Sequence, residues 1–248
     1  MIINILSLLL LLFIPVRFSR WILNLLGHKI DKKAKVGLSI VWKTKLELEP
    51  NAQIGHFNII YINNLQMQKD SLIRHRNIFI GKFVTKLGPE SRIGKQNRFT
   101  RSHRNNLVIG ISELNLGVLA CVTKEAVFDL TTNITLGDYS QIAGVGTQIW
   151  THGYVHAKTG PERIRVDGEV KIGNNVYVGS RCLINPGVII NDSINIGGNS
   201  TIAKSLIEPG MYVSQPLRYL PKDYESIKEA LVEVTEEGLI EKVFEKKH

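Results

Sequence analysis

The sequence predicts an all-β solenoid, on the evidence of a six-residue repeat and the glycines that accompany it. Every sixth residue from Val166 to Ile202 is a β-branched aliphatic, and every sixth residue from Ile30 to Ile60 is apolar. A period of six fits neither an amphipathic helix nor the plain alternation of one strand. It fits short strands joined by tight corners, each with one large apolar side chain pointing inward, and three such faces make a coil of about 18 residues.

Shifted runs and corner residues support the solenoid. The shorter runs are Leu72-Ile78-Val84, Leu87-Ile93-Phe99 and Leu130-Leu136-Ile142. Glycine follows the apolar residue at several repeats, as in Ile54-Gly55 and Ile172-Gly173, and glycine permits the backbone geometry of a sharp corner. Residues 62–76 and 96–127 break the rhythm, so the number of complete coils between residues 30 and 127 stays open.

Composition excludes several classes of protein. The chain has 248 residues, 44% of them hydrophobic, which is typical of a folded globular protein. Its two cysteines exclude a disulfide scaffold and a CxxC zinc site. Residues 1–105 contain 18 Lys or Arg but only 5 Asp or Glu, which indicates a polyanionic surface as neighbour. No nucleic-acid motif with interleaved aromatics occurs there, so a membrane is favoured over nucleic acid.

The N-terminus supplies the second reason for expecting a membrane. Residues 1–16 read MIINILSLLLLLFIPV, and a basic stretch begins directly afterwards at Arg17 and Arg20. The run lacks the basic start and small-residue cleavage site of a signal peptide. As a helix it is about 24 Å long, short of a bilayer core. We expect residues 1–26 to form a short span, a re-entrant hairpin or an interfacial helix; a buried helix of a soluble protein is the alternative.

The positive-inside rule indicates which side of the membrane this protein occupies. Basic residues follow the apolar run closely, namely Arg17, Arg20, Lys29, Lys32, Lys33 and Lys35. Such residues concentrate on the cytoplasmic side of a membrane segment. The sequence therefore predicts a protein on the cytoplasmic face of the inner membrane, peripheral or anchored at its N-terminus.

One excursion from the repeat carries the candidate catalytic residues. The chain leaves the six-residue rhythm from Trp150 to Arg165, and a long loop on a regular solenoid tends to carry function. His152 lies at its root. His152 is three residues past Ile149, and Asn133 is three past Leu130, so we expect the two to stack on successive coils. Asp129 and Asn133 are the candidate partners that hold the imidazole in position as a general base.

Two segments resemble a known enzyme family. Residues 170–218, VKIGNNVYVGSRCLINPGVIINDSINIGGNSTIAKSLIEPGMYVSQPLR, resemble the final coils of maltose and galactoside acetyltransferases. Residues 128–154, FDLTTNITLGDYSQIAGVGTQIWTHGY, resemble the polysaccharide O-acetyltransferases. From about residue 30 to 220 the chain thus resembles the hexapeptide-repeat acyltransferases. The resemblance implies a left-handed parallel β-helix, a homotrimer and acetyl-CoA as acyl donor, with His152 matching the catalytic histidine, and the histidine spacing leads us to expect no metal.

The domain organisation follows from these observations. We expect a membrane-associated helix at 1–28, a β-helix acyltransferase domain at 29–220 with an active-site loop at 150–165, and a helical tail at 221–248. The tail drops the six-residue period, and Ile227, Leu231 and Val234 follow helical spacing.

The family's binding residues carry over position by position. The resemblance assigns acyl-CoA contacts to Ser180, Gly198, Ala203, Lys204 and Arg218. It places Tyr177 near the acceptor side, where sugar acetyltransferases have tryptophan, and we expect Trp150 and His156 of the loop on the acceptor side as well. Two departures from the family weaken the donor assignment: Ala203 replaces a threonine, and 215–217 read Gln-Pro-Leu instead of Asn-Pro-Ala.

The sequence therefore predicts an O-acetyltransferase that modifies a sugar hydroxyl of a cell-surface polysaccharide or lipid-linked glycan. The runner-up is N-acylation of an amino-sugar nucleotide, which uses the same base. A noncatalytic scaffold is a third interpretation. A zinc enzyme like the γ-carbonic anhydrases would use His103, His152 and His156, but that family separates its later two histidines by four residues and here three intervene.

Overall fold

The computed structural model describes residues 2–104, 108, 110–214, 229, 231–233 and 244–246. The chain divides into two compact units, Met1–Ser214 and Gln215–His248. The first unit contains two helices, α1 (Ile2–Phe13) and α2 (Val16–Leu25). Pro15 separates them, because its ring cannot continue a helix. Among the described residues no helix is both long and apolar enough to cross a bilayer.

Short strands make up the rest of the first unit. In chain order they are β1 (Lys29–Ile30), β2 (Lys35–Val36), β3 (Ile40–Val41), β4 (Lys45–Leu48), β5 (Gln53–Ile54), β6 (Ile59–Tyr61), β7 (Asn64–Met67), β8 (Leu72–Ile73), β9 (Ile78–Ile80), β10 (Phe83–Leu87), β11 (Arg92–Lys95), β12 (Arg98–Thr100), β13 (Ser112–Leu116), β14 (Cys121–Lys124), β15 (Val127–Asp129), β16 (Ile134–Leu136), β17 (Gln141–Val145), β18 (Gln148–Ile149), β19 (His152–His156), β20 (Arg163–Asp167), β21 (Val170–Ile172), β22 (Tyr177–Val178), β23 (Leu183–Ile184), β24 (Ile189–Ile190), β25 (Ile194–Ile196), β26 (Thr201–Ile202) and β27 (Gly210–Tyr212).

Successive strands belong to three parallel sheets in turn. The first sheet runs β1-β4-β7-β10-β13-β16-β21-β24, the second β2-β5-β8-β11-β14-β17-β22-β25-β27, and the third β3-β6-β9-β12-β15-β18-β23-β26. Each coil therefore adds one strand to every sheet, which confirms the predicted parallel β-solenoid and is consistent with the expected left-handed β-helix. Both helices contact the first coil: α1 contacts β3, and α2 contacts β1 and β2.

The inward residues differ in places from the predicted ladders. Ile30 pairs with Leu48, Leu48 with Met67 and Met67 with Leu87, so the spacing grows by one residue at each successive coil. The extra residues shift the phase of the repeat. The buried residues are consequently Val41, Ile73, Phe79 and Phe83, not Trp42, Leu72, Ile78 and Val84.

Polar ladders complete the interior at one corner. Asn58, Asn77 and Asn97 are buried in consecutive coils, and each amide oxygen accepts the backbone N–H of the next ladder position. Their amide groups also donate to backbone carbonyls, so these buried side chains are satisfied. Phe79 and Phe99 stack beside this corner with ring centroids 4.6 Å apart.

The predicted loop at 150–165 is an antiparallel hairpin. β19 and β20 pair with each other, His152 opposite Asp167, and stand outside the three sheets. Val166 is half-exposed in this hairpin, so the expectation that the repeat resumes at Val166 is wrong. The coil resumes at Val170, which pairs with Ile134 of the preceding coil. The hairpin thus extends to Asp167, past Arg165, the residue at which the six-residue period predicts the end of the loop.

The second unit contains two described strands, β28 (Leu231–Glu233) and β29 (Phe244–Lys246), which pair antiparallel. The predicted helical tail is not confirmed: Leu231 lies in a strand, while Ile227 and Val234 lie outside the described residues.

Candidate active site

His152 lies where the chain leaves the solenoid. β18 ends at Ile149, whose side chain is fully buried, and Thr151 is fully buried as well. His152 then opens the hairpin and remains partly exposed. A rigid coil thus fixes the backbone on one side of the imidazole while the ring itself faces a cleft.

Asp129 is the hydrogen-bond partner of the imidazole. Its Oδ2 lies 2.8 Å from His152 Nδ1. An ionised carboxylate only accepts hydrogen bonds, so the Nδ1 atom carries the proton that fills this contact. His152 Nε2 is then left with its lone pair in the neutral ring, as a general base requires.

Two threonines hold the carboxylate itself. Thr151 donates its backbone N–H to Asp129 Oδ2 at 3.1 Å, and its hydroxyl lies within donating distance of both the Asp129 backbone carbonyl oxygen, at 2.9 Å, and Oδ2, at 3.0 Å. Thr131 donates its hydroxyl to Oδ1 at 2.9 Å, and this hydroxyl oxygen also lies 3.1 Å from His152 Nδ1. Both carboxylate oxygens are therefore occupied and the buried Asp129 has one orientation.

Asn133, the other predicted partner, is not brought to His152. Its side-chain oxygen accepts the backbone N–H of Glu113 at 2.9 Å, one coil earlier. The predicted stacking of Asn133 on His152 requires Leu130 to lie opposite Ile149, whereas the strand register pairs Phe128 with Ile149. This two-residue offset brings Thr131, not Asn133, next to His152.

The imidazole faces a cleft of about 270 Å³. Its lining comprises Thr100, Arg101, Ser102, Val108, Asp129, Thr131, His152, Tyr154 and Arg165. Arg101 is buried, and its guanidinium donates to the backbone carbonyls of Lys82, Gly110 and Thr131. Burial lowers the pKa of Arg101, an effect opposed by the nearby Asp129 carboxylate. Arg101 thus fixes the main chain of the residue that contacts the imidazole.

An ion pair lies on β20, the strand that pairs with β19. Arg165 donates from Nε to Asp167 Oδ1 at 2.6 Å and from its terminal nitrogen to Oδ2 at 2.5 Å. These hydrogen bonds lower the pKa of Asp167, and the nearby His152 adds to the effect. In the hairpin register Asp167 lies opposite His152 and Arg165 opposite Tyr154, so this ion pair lies next to the imidazole.

Aromatic rings alternate along β19 and its approach. Trp150 lies 6.2 Å from the His152 ring centroid, Tyr154 lies 5.9 Å from it on the other side, and His156 follows 6.4 Å beyond Tyr154. The Arg163 guanidinium lies 4.8 Å from the Tyr154 ring. Trp150 and His156, both predicted for the acceptor side, thus belong to one row of rings that includes His152.

Each strand of the third sheet has a corner of the coil before it and another after it, and we call these two rows of corners the two edges of this sheet. The predicted donor residues lie at both of them. Ala203 and Lys204 follow β26, at the edge where His152 follows β18, and both are exposed. Ser180 and Gly198 lie at the opposite edge, after strands β22 and β25 of the second sheet. A Cβ on Gly198 would come within 3.1 Å of the Ser180 carbonyl oxygen, so this corner is closely packed.

Three other predicted residues stay apart from this cleft or cannot be placed. Tyr177 is exposed on the second sheet, away from the edge that carries His152. Arg218 lies outside the described residues. His103 stacks on Tyr61 at 4.4 Å between ring centroids, and no group of three or more metal-ligating side chains occurs among the residues that the structure describes.

Sequence reasoning missed the residues that surround the imidazole. Thr131, Thr151, Arg101, Tyr154 and Arg165 were not predicted. Correct pairing of Phe128 with Ile149 would have identified Thr131. The alternation of Trp150, His152, Tyr154 and His156 is visible in the sequence as a strand pattern with one aromatic face.

Comparison with known proteins identifies acetyltransferases. No family model matches the chain. A probable macrolide acetyltransferase of Lysinibacillus sphaericus is 36% identical over 63 residues, 25% of this chain and 35% of the relative. Galactoside O-acetyltransferase of Escherichia coli K12 is 38% identical over 78 residues, 29% of this chain and 36% of the relative. The chain thus spans about a third of the length of the curated relatives it matches.

A solved structure extends the likeness along the fold. The polysialic acid O-acetyltransferase OatWY superposes with a TM-score of 0.53 at 17% identity, covering 80% of this chain and 89% of that one. At this identity the match shows a common fold. Together with the two sequence relatives it confirms the predicted resemblance to hexapeptide-repeat acetyltransferases.

Proposed function

We propose that this chain is an acetyl-CoA-dependent O-acetyltransferase with a saccharide acceptor, in which His152 is the general base. The single observation that carries the proposal is the 2.8 Å contact of His152 Nδ1 with the buried Asp129, at a cleft of a fold shared with an acetyltransferase. The two sequence relatives, both named acetyltransferases, support the same reaction class.

The reaction follows from the chemistry of the imidazole. A sugar hydroxyl is a weak nucleophile at neutral pH, so His152 Nε2 takes its proton as the hydroxyl oxygen attacks the thioester carbonyl carbon. The C–S bond then breaks, an ester forms, and the sulfur of CoA, which leaves as a thiolate, takes the proton from the imidazolium to give the free thiol. Such base assistance contributes typically about 100- to 10,000-fold to the rate. Asp129 stabilises the imidazolium that forms between the two proton transfers.

The donor site is the second part of the proposal. Lys204 is an exposed cation at the same edge of the third sheet as His152, two strands further along. A cation there suits the phosphates of acyl-CoA. Ser180 and Gly198 lie at the opposite edge, so one chain does not bring all the predicted donor residues into one groove. A groove between two copies of a homotrimer would bring the two edges together, and we include the trimer in the proposal.

The acceptor side is supported by the ring row. Apolar faces of sugars stack on aromatic rings, and Trp150, Tyr154 and His156 present rings on either side of the base. Arg165 supplies hydrogen-bond donors at the same cleft, held in place by Asp167. We therefore propose an acceptor in the class of cell-surface or lipid-linked glycans.

Thiol release from acetyl-CoA tests the proposal. Wild type is expected to release CoA thiol when a glycan acceptor is present, and His152→Asn to lose about 100-fold or more of that rate. His75→Asn is the matched control. His75 lies outside the cleft, and its Nδ1 accepts the backbone N–H of His56 at 2.9 Å, a hydrogen bond that the asparagine oxygen can also accept.

The outcomes separate the components of the proposal. Release that survives His152→Asn would overturn the assignment of the base. Absence of acetyl-CoA binding by wild type in calorimetry would overturn the reaction class. A monomer in light scattering, with full activity, would overturn the groove between copies while leaving the base in place.

A further inference from the structure

The two N-terminal helices expose a large apolar surface, which we call the outward face. Its side chains are Ile3, Ile5, Leu6, Leu9, Phe13, Phe18, Trp21 and Leu25. The exposed fraction reaches 76% for Leu25, 73% for Phe13 and 62% for Trp21. Contiguous apolar patches of this kind are rare on soluble monomers and mark a binding surface.

Helical periodicity arranges α2 as an amphipathic segment with its apolar side chains outward. Val16, Ser19 and Leu23 are buried against the solenoid, while Phe18, Trp21 and Leu25 project away from it. The spacing of three and four residues aligns these three side chains in one stripe. The buried stripe contains Ser19 beside two apolar residues, whereas the exposed stripe is entirely apolar, so packing on the first coil leaves an apolar surface uncovered.

α1 repeats this arrangement. Leu10 and Leu11 are buried, whereas Ile5, Leu9 and Phe13 lie four residues apart on the exposed side. All twelve residues of α1 are uncharged, IINILSLLLLLF, so no ionised side chain interrupts its part of the outward face.

Cations border the outward face. Arg17 and Arg20 lie on α2, and the guanidinium of Arg17 lies 4.5 Å from the Phe18 ring. Exposed lysines follow within the first coil, namely Lys29, Lys32, Lys33 and Lys35. Between residues 17 and 35 the single acidic residue is Asp31. An apolar stripe with a cationic border matches the acyl chains and anionic headgroups of a lipid surface.

We propose that the outward face docks on an anionic lipid bilayer, at the cytoplasmic face of the inner membrane, with α1 and α2 lying in the headgroup region. The two helices have 12 and 10 residues, so they suit the interface better than a span. Trp21 suits the same depth, since tryptophan favours the membrane interface. A second copy of the chain would fit less well, because pairing two outward faces would bring two cationic borders together.

Vesicle flotation with the full chain tests the docking. Wild type is expected to float with vesicles of one part phosphatidylserine to two parts phosphatidylcholine, and much less with phosphatidylcholine alone. Phe18→Gln with Trp21→Gln should reduce partitioning more than tenfold. Arg17→Gln with Arg20→Gln should reduce it about 25-fold, from roughly fivefold for each cation near the surface. The matched control is Phe57→Asn, since Phe57 is as exposed as Phe18, at 61%, but lies between β5 and β6 and not on α1 or α2.

Fluorescence gives a second readout of depth. Brominated lipids should quench Trp21, so quenching should fall in Trp21→Phe and persist in Trp150→Phe while both variants still float. The docking is overturned if wild type does not float, or if the variant with Phe18→Gln and Trp21→Gln floats as wild type does. It is also overturned if the outward face instead mediates self-association in sedimentation. None of these measurements uses acetyl transfer, so they stand apart from any failure of the proposed reaction.

Discussion

Replacing Asp129 by asparagine tests how much the negative charge of this carboxylate contributes to the general base His152. The backbone N–H of Thr151 donates to Oδ2 and needs an acceptor there, so the asparagine oxygen is expected to take that position and keep its contact with His152 Nδ1. The amide nitrogen then faces the Thr131 hydroxyl, which can accept. The fold and the imidazole orientation are retained, while the negative charge that stabilises the imidazolium is lost.

The size of the effect follows from the geometry. Two unit charges about 4 Å apart interact by about 4 kcal/mol at an effective dielectric constant of 20. The His152 side chain is 27% exposed, so solvent reduces this energy, and we expect about 2–4 kcal/mol. That range corresponds to a loss of roughly 30- to 1,000-fold in kcat. Acetyl-CoA does not contact this buried carboxylate in the proposed site, so its KM should change little.

Steady-state thiol release and nitrogen NMR test the two halves of this reasoning. The ¹⁵N shifts of the neutral His152 ring should report a protonated Nδ1 in wild type and in Asp129→Asn, with His152→Gln identifying the signals. A kcat within threefold of wild type would refute the electrostatic role. A protonated Nε2 in the wild-type ring would refute the tautomer and the assignment of the base.

Two further predictions concern stability. Burial, and to a smaller extent the nearby Lys45, lowers the pKa of His28 below its ordinary 6.5. As pH falls the unfolded chain therefore binds a proton before the folded chain does, and wild type should lose stability below about pH 6.5. Chemical denaturation from pH 8 to 5 should show this dependence, and His28→Gln should reduce it. A Cβ on Gly94 would come within 1.6 Å of the Thr123 carbonyl oxygen, so Gly94→Ala should lower the free energy of unfolding by about 3 kcal/mol. A Cβ on Gly153 would have no atom within 4 Å, so Gly153→Ala should leave thermal stability unchanged. Equal melting temperatures of the two variants would contradict this.

The repeat predicted the solenoid because its inward residues must recur at every face. It did not predict the phase in the first coils, because strands and corners of different length make successive coils longer. Each added residue moves the side chains of a strand to its other face. This explains why Ile73 and Phe79 are buried in place of Leu72 and Ile78.

The same difficulty explains the errors in the candidate site. The resemblance indicates His152 and the local pattern indicates Asp129, and the structure brings these two side chains within 2.8 Å of each other. Counting from Leu130 predicts Asn133 as the partner, whereas Phe128 is the residue that pairs with Ile149. Register between coils depends on every residue inserted between them, so hydrogen-bond partners one coil apart are the least predictable part of such a site.

The position of the base in the solenoid gives a last prediction, which rests on both proposals. Both helices contact the first coil, and the third sheet runs β3-β6-β9-β12-β15-β18, with His152 directly after β18. Five strand spacings separate β3 from β18, about 24 Å at roughly 4.8 Å each. With the outward face on a bilayer and the solenoid rising from it, His152 would be held well above the headgroups.

A vesicle-anchored acceptor should therefore be acetylated only when its glycan is long enough to reach that height. We expect an anchored short glycan to react poorly, an anchored long glycan to react well, and the two to react alike when released from their lipid. Thiol release with the four acceptors measures this directly. An anchored short glycan that reacts as fast as its released form would show that the solenoid does not stand away from the membrane, even if docking and catalysis are both correct.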